Sequence, residues 1–343
     1  MKLKLKFHFV PINSGTVGHF VIDTEKIIFN YHQLKQKGDD FRLYLIKEEK
    51  VSNHYFLTVL RKHFSILPNF PFNLLHAFLR RVSIPYRVRT ESLMRKDQSM
   101  MIDLHKTPPF YHLGHAETIQ GKQYLAELGI PLSAKIVCCV FRDHGYDISQ
   151  NESNFAFKQG YRVTPLENFV PVVSELISLG YYVVRMGRHN SEKLDLNHPK
   201  YFDRTDWKFG DDDFFDFFLF SISDFTVSTG SGIDAFSSFF RKPTLFLNYS
   251  TIADVPHTKL WRVALIPDFI REPLYERIHL GSLLDDRISR AWPPELLSEG
   301  IRIVPKSSND LLKALRIFMK LNGYSTFSHP SYSNYETFDN LLY

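Results

Sequence analysis

Three groups of residues in this chain have types and spacings suited to chemistry. His19 and Asp23 stand four apart in NSGTVGHFVIDTE, about one helical turn if a helix follows the glycine loop. An imidazole exchanges protons near neutral pH, so a histidine there could take the proton of an acceptor hydroxyl, with the carboxylate orienting it or serving as the base itself. A capping or packing histidine is the competing reading, since the chain has 15 histidines.

The second group lies in SDFTVSTGSGIDA, where an apolar strand runs into Ser228, Thr229, Gly230, Ser231 and Gly232 and then into helix-forming residues. Backbone amides at the positive end of a helix dipole attract an anion. Gly230 to Ala235 reads as G-x-G-x-x-A, the dinucleotide fingerprint. That fingerprint normally opens a domain, yet it falls late in the 343 residues, and Asn248 stands where the ribose-binding acid is expected. The stretch also lacks the Gly-Lys-Ser/Thr of a nucleotide P-loop and the flanking glycines of a nucleophile elbow. A structural turn without a ligand remains open.

The third group is a set of arginines at strand ends. Arg142 and Asp143 follow KIVCCVF, and Arg185, Gly187 and Arg188 close YYVVRMGR. Ligands of open α/β sheets collect at the carboxyl ends of strands, and a guanidinium fork suits a diphosphate. Surface arginines in loops are the plainer alternative.

The elements that must position these groups alternate. Strands are expected at Lys2–Pro11 and Phe41–Ile46, with a helix between them that ends at Gly38. From Ser133 the grammar repeats: strand Lys135–Phe141, helix Pro165–Gly180, strand Tyr181–Gly187, a helix begun by Asp211, Asp212 and Asp213, strand FTVST, helix IDAFSSFFR and strand PTLFLNY. Acids in a first turn suit a helix start better than an Asp-x-Asp metal site. Continuous apolar strands alternating with helices predict parallel sheets covered on both faces. The expected fold class is α/β, two Rossmann-like domains facing a cleft, residues 1–133 and 134–343, with 90–133 as the end of the first domain and a linker.

Composition narrows the setting. The chain is 44% hydrophobic and 23% charged, as in globular proteins, and its 31 phenylalanines call for large apolar cores or a greasy surface. No apolar run reaches the roughly 18–20 residues that cross a bilayer. MKLKLKFHFV alternates like a strand and not like a signal peptide, so a cytoplasmic location is expected. Cys138 and Cys139, adjacent in a strand, make neither a disulfide framework nor a four-ligand zinc site.

Charge is uneven: residues 1–100 hold 17 Lys and Arg against 8 Asp and Glu, while the whole chain holds 42 against 37. A basic front suits an anionic partner, or is ordinary solubilising charge. The basic, aromatic segment 55–89 reads either as helices packed internally or as a surface lying on an anionic membrane at its inner face, with Arg80 and Arg81 meeting lipid phosphates.

Taken together, the glycine–histidine loop after the first strand and the glycine-rich turn late in the second unit resemble the GT-B glycosyltransferases. FRD, YR and GYYVVRMG, followed by DFFDFFLFSISDFTVSTGSGIDAFSSFFRKPTLFLN, resemble more closely a family of bacterial glycosyltransferases from surface-polysaccharide gene clusters. That likeness is best over residues 135–256, local around His19 and faint over 45–130. It implies sugar transfer from a nucleotide-sugar donor to a glycan or lipid-linked acceptor, with no metal, no separate cofactor and no nucleic-acid partner. Carried over, it makes Ser228 to Gly232 the donor diphosphate loop. Arg142 and Arg185 become charge partners of the leaving group, Asp143, Gly187, Arg188 and Asn248 line the donor site, and His19 or Asp23 acts as the base. A Glu-x7-Glu pair of some retaining members is taken as absent, which leads to an inverting course. The alternatives are a sugar-nucleotide epimerase on the same scaffold, a nicotinamide-dependent oxidoreductase, and a non-enzymatic carbohydrate- or membrane-binding module.

Overall fold

The computed structural model describes residues 6–38, 41–70, 72, 74, 78, 86–88, 103–145, 148, 162–207, 211–252, 262–284, 293–324 and 341–342. Strands β1 (Lys6–Ile12), β2 (Phe41–Lys47), β3 (Ser65–Pro68) and β4 (Tyr86–Val88) form an all-parallel sheet in the order β3-β2-β1-β4. Helix α1 (Val17–Gln36) follows β1 and α2 (His54–Arg61) follows β2. The expected first helix stops where its sequence says, because Gly38 takes φ +85°, a left-handed value that glycine adopts at little steric cost.

The second sheet is built from β5 (Ile136–Val140), β6 (Tyr182–Arg185), β7 (Tyr201–Asp203), β8 (Phe225–Ser228), β9 (Thr244–Leu247) and β10 (Arg262–Leu265). These are mutually parallel in the order β10-β9-β8-β5-β6-β7. Counted from β5, that is the doubly wound order 3-2-1-4-5-6, whose topological switch lies between β5 and β8. Strands β11 (Asp268–Arg271), β12 (Glu276–Arg277) and β13 (Ile301–Val304) make a small antiparallel sheet, and β14 (Leu341–Leu342) adds antiparallel to β10. The α/β class with two Rossmann-like sheets is thus the architecture seen.

Five further helices matter: α3 (His115–Glu127), α4 (Val170–Ser178), α5 (Asp212–Ile222), α6 (Ala235–Phe239) and α7 (Ser308–Leu321). Asp211 caps α5 by accepting from the Phe214 amide at 2.9 Å, so the acidic triplet is a helix start. Helix α5 is buried on most of its faces and largely apolar: Phe214, Phe215, Phe217, Phe218 and Phe220 are all buried. Their partners come from both sheets' helices. Phe56 of α2 meets Phe20 of α1 at 5.0 Å between ring centroids, and Phe236 and Phe239 of α6 at 5.7 and 5.4 Å. One apolar core therefore runs from the first lobe into the second, and the phenylalanine-rich composition is spent on this seam.

Polar clasps cross the same seam. Arg241 donates to Glu25 of α1 at 2.6 Å, and Asp213 accepts from the His54 amide at 2.6 Å. Residues 90–133, expected as a polar linker, contain α3, whose Gly121 packs so tightly that an added Cβ would lie 2.2 Å from the Phe218 ring. Nearby, burial works to raise the Glu117 carboxyl, but hydrogen bonds from Lys62, Tyr111 and the Gly114 amide hold it down at about 2. Segment 55–89 is divided: Phe56, Leu57, Val59 and Leu60 pack inside, while Phe70, Leu74 and Phe78 face outward. Residues 71, 73, 75–77, 79–85 and 89, including Arg80 and Arg81, lie outside the described set. Among the described residues no helix is long and apolar enough to cross a membrane.

Candidate active site

The Thr-Gly-Ser-Gly turn leaves β8 at the switch point, where Val140 of β5 pairs with Ser228. Crevices at that position hold ligands in open α/β sheets because the adjacent loops diverge there. The turn follows the fourth strand of its unit, whereas a dinucleotide fingerprint follows the first, here β5. This is the topological reason the G-x-G-x-x-A spelling does not make a dinucleotide site.

The turn is shaped by its own side chains. Asp234 accepts from Ser228 Oγ at 2.5 Å and from the Ser231 amide at 2.9 Å, and Ser228 Oγ accepts from the Gly230 amide at 2.9 Å. Thr229 ties the turn to the neighbouring strand end, its Oγ1 accepting from the Arg142 amide at 3.0 Å. Two amides of the expected cradle are therefore spent internally. Gly230 takes φ +83° with the Tyr249 ring lying over it, so that a Cβ would come within 2.5 Å.

The resemblance made Arg185 a charge partner of the leaving diphosphate, and the structure corrects this. Arg185 is the last residue of β6 and has no exposed surface. Its Nη2 donates to Asp143 and its Nη1 to Asp203, each at 3.0 Å, with further bonds to the Phe141 and Glu192 carbonyls. Asp143 in turn accepts from the amides of Gly145, Ser191 and Glu192 at 2.8–3.0 Å. The pair is an internal brace joining the ends of β5, β6 and β7.

Arg188 pairs with Asp213 and Asp216 at 2.5 and 2.7 Å. Burial raises the Asp216 carboxyl above the ordinary aspartate range although Arg204 and Arg188 both lie against it. Gly187 turns at φ +119°, a value that side-chain-bearing residues rarely adopt. Asn248 is buried, donates to Thr164 Oγ1 at 3.1 Å and accepts from the Lys306 amide at 2.8 Å, so both ends of its side chain are engaged. These residues hold the strand ends in place.

A cation that sequence reading passed over stands at the turn instead. Arg162, half-buried, donates through Nη2 to the Gly230 carbonyl. It comes from the polar stretch after β5, and only its place in YR, just before the helix at Pro165, could have drawn notice.

From the first lobe, α1 brings the glycine–histidine loop against this turn. A Cβ on Gly18 would lie 2.9 Å from Gly232 Cα, and one on Gly232 would lie 3.0 Å from the Gly18 amide nitrogen. His19 is the next residue. Its Nδ1 faces Asp23 Oδ2 at 3.6 Å, with the imidazole 45% and the carboxylate 11% exposed. Asp23 Oδ1 is buried and meets no hydrogen-bond partner among the described residues. The N-terminus of α1 carries no side-chain cap and no acid in its first turn.

Gly18→Ala tests the contact, because two effects oppose each other. Helix propensity favours alanine by about 0.5–1 kcal/mol, whereas a Cβ forced onto backbone that cannot give way costs about 1–3 kcal/mol. The contact is expected to win, and thermal unfolding should show a lower melting temperature. A higher one would mean the two loops do not touch.

A Glu-x7-Glu spacing, taken as absent, does occur at Glu167 and Glu175. Glu175 lies within α4 and accepts from Arg316 of α7 at 2.9 Å, so that spacing ties two helices together and carries no information on stereochemical course.

No protein-family model matches this chain, and no curated protein does. Among solved structures it is similar to a glycosyl transferase family 9 protein from Veillonella parvula DSM 2008, at 12% identity over 72% of this chain and 82% of that one, TM-score 0.44. It is also similar to the dodecameric iron-containing heptosyltransferase TibC, solved in complex with ADP-D-β-D-heptose, at 16% identity over 93% of this chain and 74% of that one, TM-score 0.37. With TM-scores below 0.5, neither likeness bears on the chemistry of this site.

Proposed function

We propose that this protein is a glycosyltransferase that moves a sugar from a nucleotide-sugar donor to a glycan or lipid-linked acceptor of surface-polysaccharide type, without a metal and with inversion. The observation that carries the reading is the meeting of Gly18 and Gly232, which sets the His19–Asp23 pair one residue from a strand–turn–helix at a switch point. His19, oriented by Asp23, takes the proton of an acceptor hydroxyl. The acceptor oxygen then bonds to the anomeric carbon as the bond from that carbon to the diphosphate breaks. Charge grows on the departing diphosphate, and fixed cations and dipoles placed where charge develops stabilise it by several kcal/mol. Arg162 and Arg142 take that role, which Arg185, enclosed in its brace, leaves to them.

Ligand binding to the folded state alone raises the melting temperature. A panel of UDP-, GDP-, ADP- and CMP-sugars is expected to contain one that does so, with NAD inert. A shift with NAD alone, or with no nucleotide, would overturn the reading. Arg162→Ala should weaken binding of the active donor about 10- to 100-fold, the loss of one charge-assisted hydrogen bond at about 1.5–3 kcal/mol. The melting temperature without ligand should fall by only a few degrees, since the bond to the Gly230 carbonyl is lost as well. Calorimetric titration reads the change, and an unaltered affinity would take Arg162 out of the donor site.

A further inference from the structure

Tyr249 reaches the Thr-Gly-Ser-Gly turn from the end of the next strand. Strands β8 and β9 are parallel neighbours with Ser228 opposite Phe246, so the turn and Tyr249 leave the sheet side by side. A Cβ on Gly230 would lie 2.5 and 2.7 Å from Tyr249 Cε2 and Cδ2. One edge of the ring therefore rests on the Gly230 Cα, while Arg162 holds the same residue by its carbonyl.

The ring is itself held in place. It is half-buried and packs against Phe246 and Ala264, its centroid 4.8 Å from that of Phe246 in an edge-on arrangement. Its amide donates to the Leu265 carbonyl of β10 at 3.2 Å. The preceding residue, Asn248, turns at φ +53°, a left-handed value that asparagine tolerates better than most side-chain-bearing residues. Asn248 is fixed by Thr164 and by the Lys306 amide, and Lys306 Nζ donates to Asp268 of β11 at 2.6 Å. A line of contacts thus runs from the small antiparallel sheet through Lys306, Asn248 and Tyr249 to Gly230.

Glycine has the widest backbone freedom of any residue. A ring packed on Gly230 removes that freedom before a ligand arrives, and a loop already ordered loses less entropy on binding. We infer that Tyr249 is a positioning residue, whose ring on Gly230 keeps the turn in the form that receives the donor diphosphate. The ligand in this inference rests on the donor site proposed above, whereas the effect on the turn does not.

Hydrogen exchange of the full chain, followed by mass spectrometry, reads the turn directly. The amides of Gly230 and Ser231 are bonded inside it. In Tyr249→Ala they should exchange at least about ten-fold faster than in the parent, with β2 and α4 unchanged, which separates local release from general loss of stability. Tyr249→Phe keeps the ring and should exchange like the parent. Calorimetric titration with inorganic pyrophosphate, and with the nucleotide sugar that stabilises the parent, should show affinity lower by about ten-fold in Tyr249→Ala and within about two-fold of the parent in Tyr249→Phe. If the alanine variant folds poorly, Tyr249→Leu, which fills part of the space, should show the same changes to a smaller extent.

Unchanged exchange at Gly230 and Ser231 in a folded Tyr249→Ala would overturn the inference. So would a Tyr249→Phe that behaves like the alanine variant, since the hydroxyl and not the ring would then matter. Faster exchange in Tyr249→Ala, with a parent that binds neither pyrophosphate nor any nucleotide sugar, would confirm the hold of Tyr249 on the turn and overturn the donor reading instead.

Discussion

Arg185→Ala is expected to cost about 3–5 kcal/mol of folding stability, because it leaves two buried carboxylates without their cation. Asp143 and Asp203 are both almost fully buried, and each loses a 3.0 Å charge-assisted hydrogen bond. Domains are stable by only about 5–15 kcal/mol, and near this size each kcal/mol moves the melting temperature by roughly 2–4 °C. A drop of about 6–20 °C follows, with low soluble yield. Any loss of activity would come with loss of fold. Arg185→Met combined with Asp143→Asn and Asp203→Asn should recover part of the deficit, since neutral partners are cheaper to bury than orphaned charges. A single alanine variant that melts like the parent would show that the brace contributes nothing.

The misreading of Arg185 shows what a single sequence conceals. That β6 exists, and that it ends near Arg185, is legible from the apolar run and the glycine that follows. Its burial is not, because its partners lie 42 residues upstream and 18 downstream. Only the strand order β5-β6-β7 brings those three together. Arg162 was hidden for the same reason: its contact with Gly230 spans 68 positions. The Thr-Gly-Ser-Gly turn was legible because strand, turn and helix are continuous in sequence, and so was the spacing of His19 and Asp23. Helix α3 escaped because its sequence has little apolar periodicity and a glycine at the position that touches Phe218. The phenylalanines of α5 announced burial, but whether against one lobe or across two was a matter of tertiary packing.

His19→Ala is expected to lower sugar transfer by about 10²- to 10⁴-fold, the usual worth of a positioned general base, with donor affinity within about two-fold of the parent. The two readouts part because His19 belongs to the first lobe, while the turn, Arg142 and Arg162 belong to the second. Folding should be unaffected, since the imidazole is 45% exposed and its contact is a 3.6 Å pairing on its own helix. Asp23→Asn separates the roles within the pair. An asparagine can still hold the ring but supplies no charge, so an orienting Asp23 predicts a loss of about ten-fold, well short of that from His19→Ala. If Asp23 is itself the base, the order reverses. Loss of donor binding in His19→Ala would remove the residue from proton transfer altogether and place it in the donor pocket. In that case the contact between Gly18 and Gly232 would complete the donor site from both lobes.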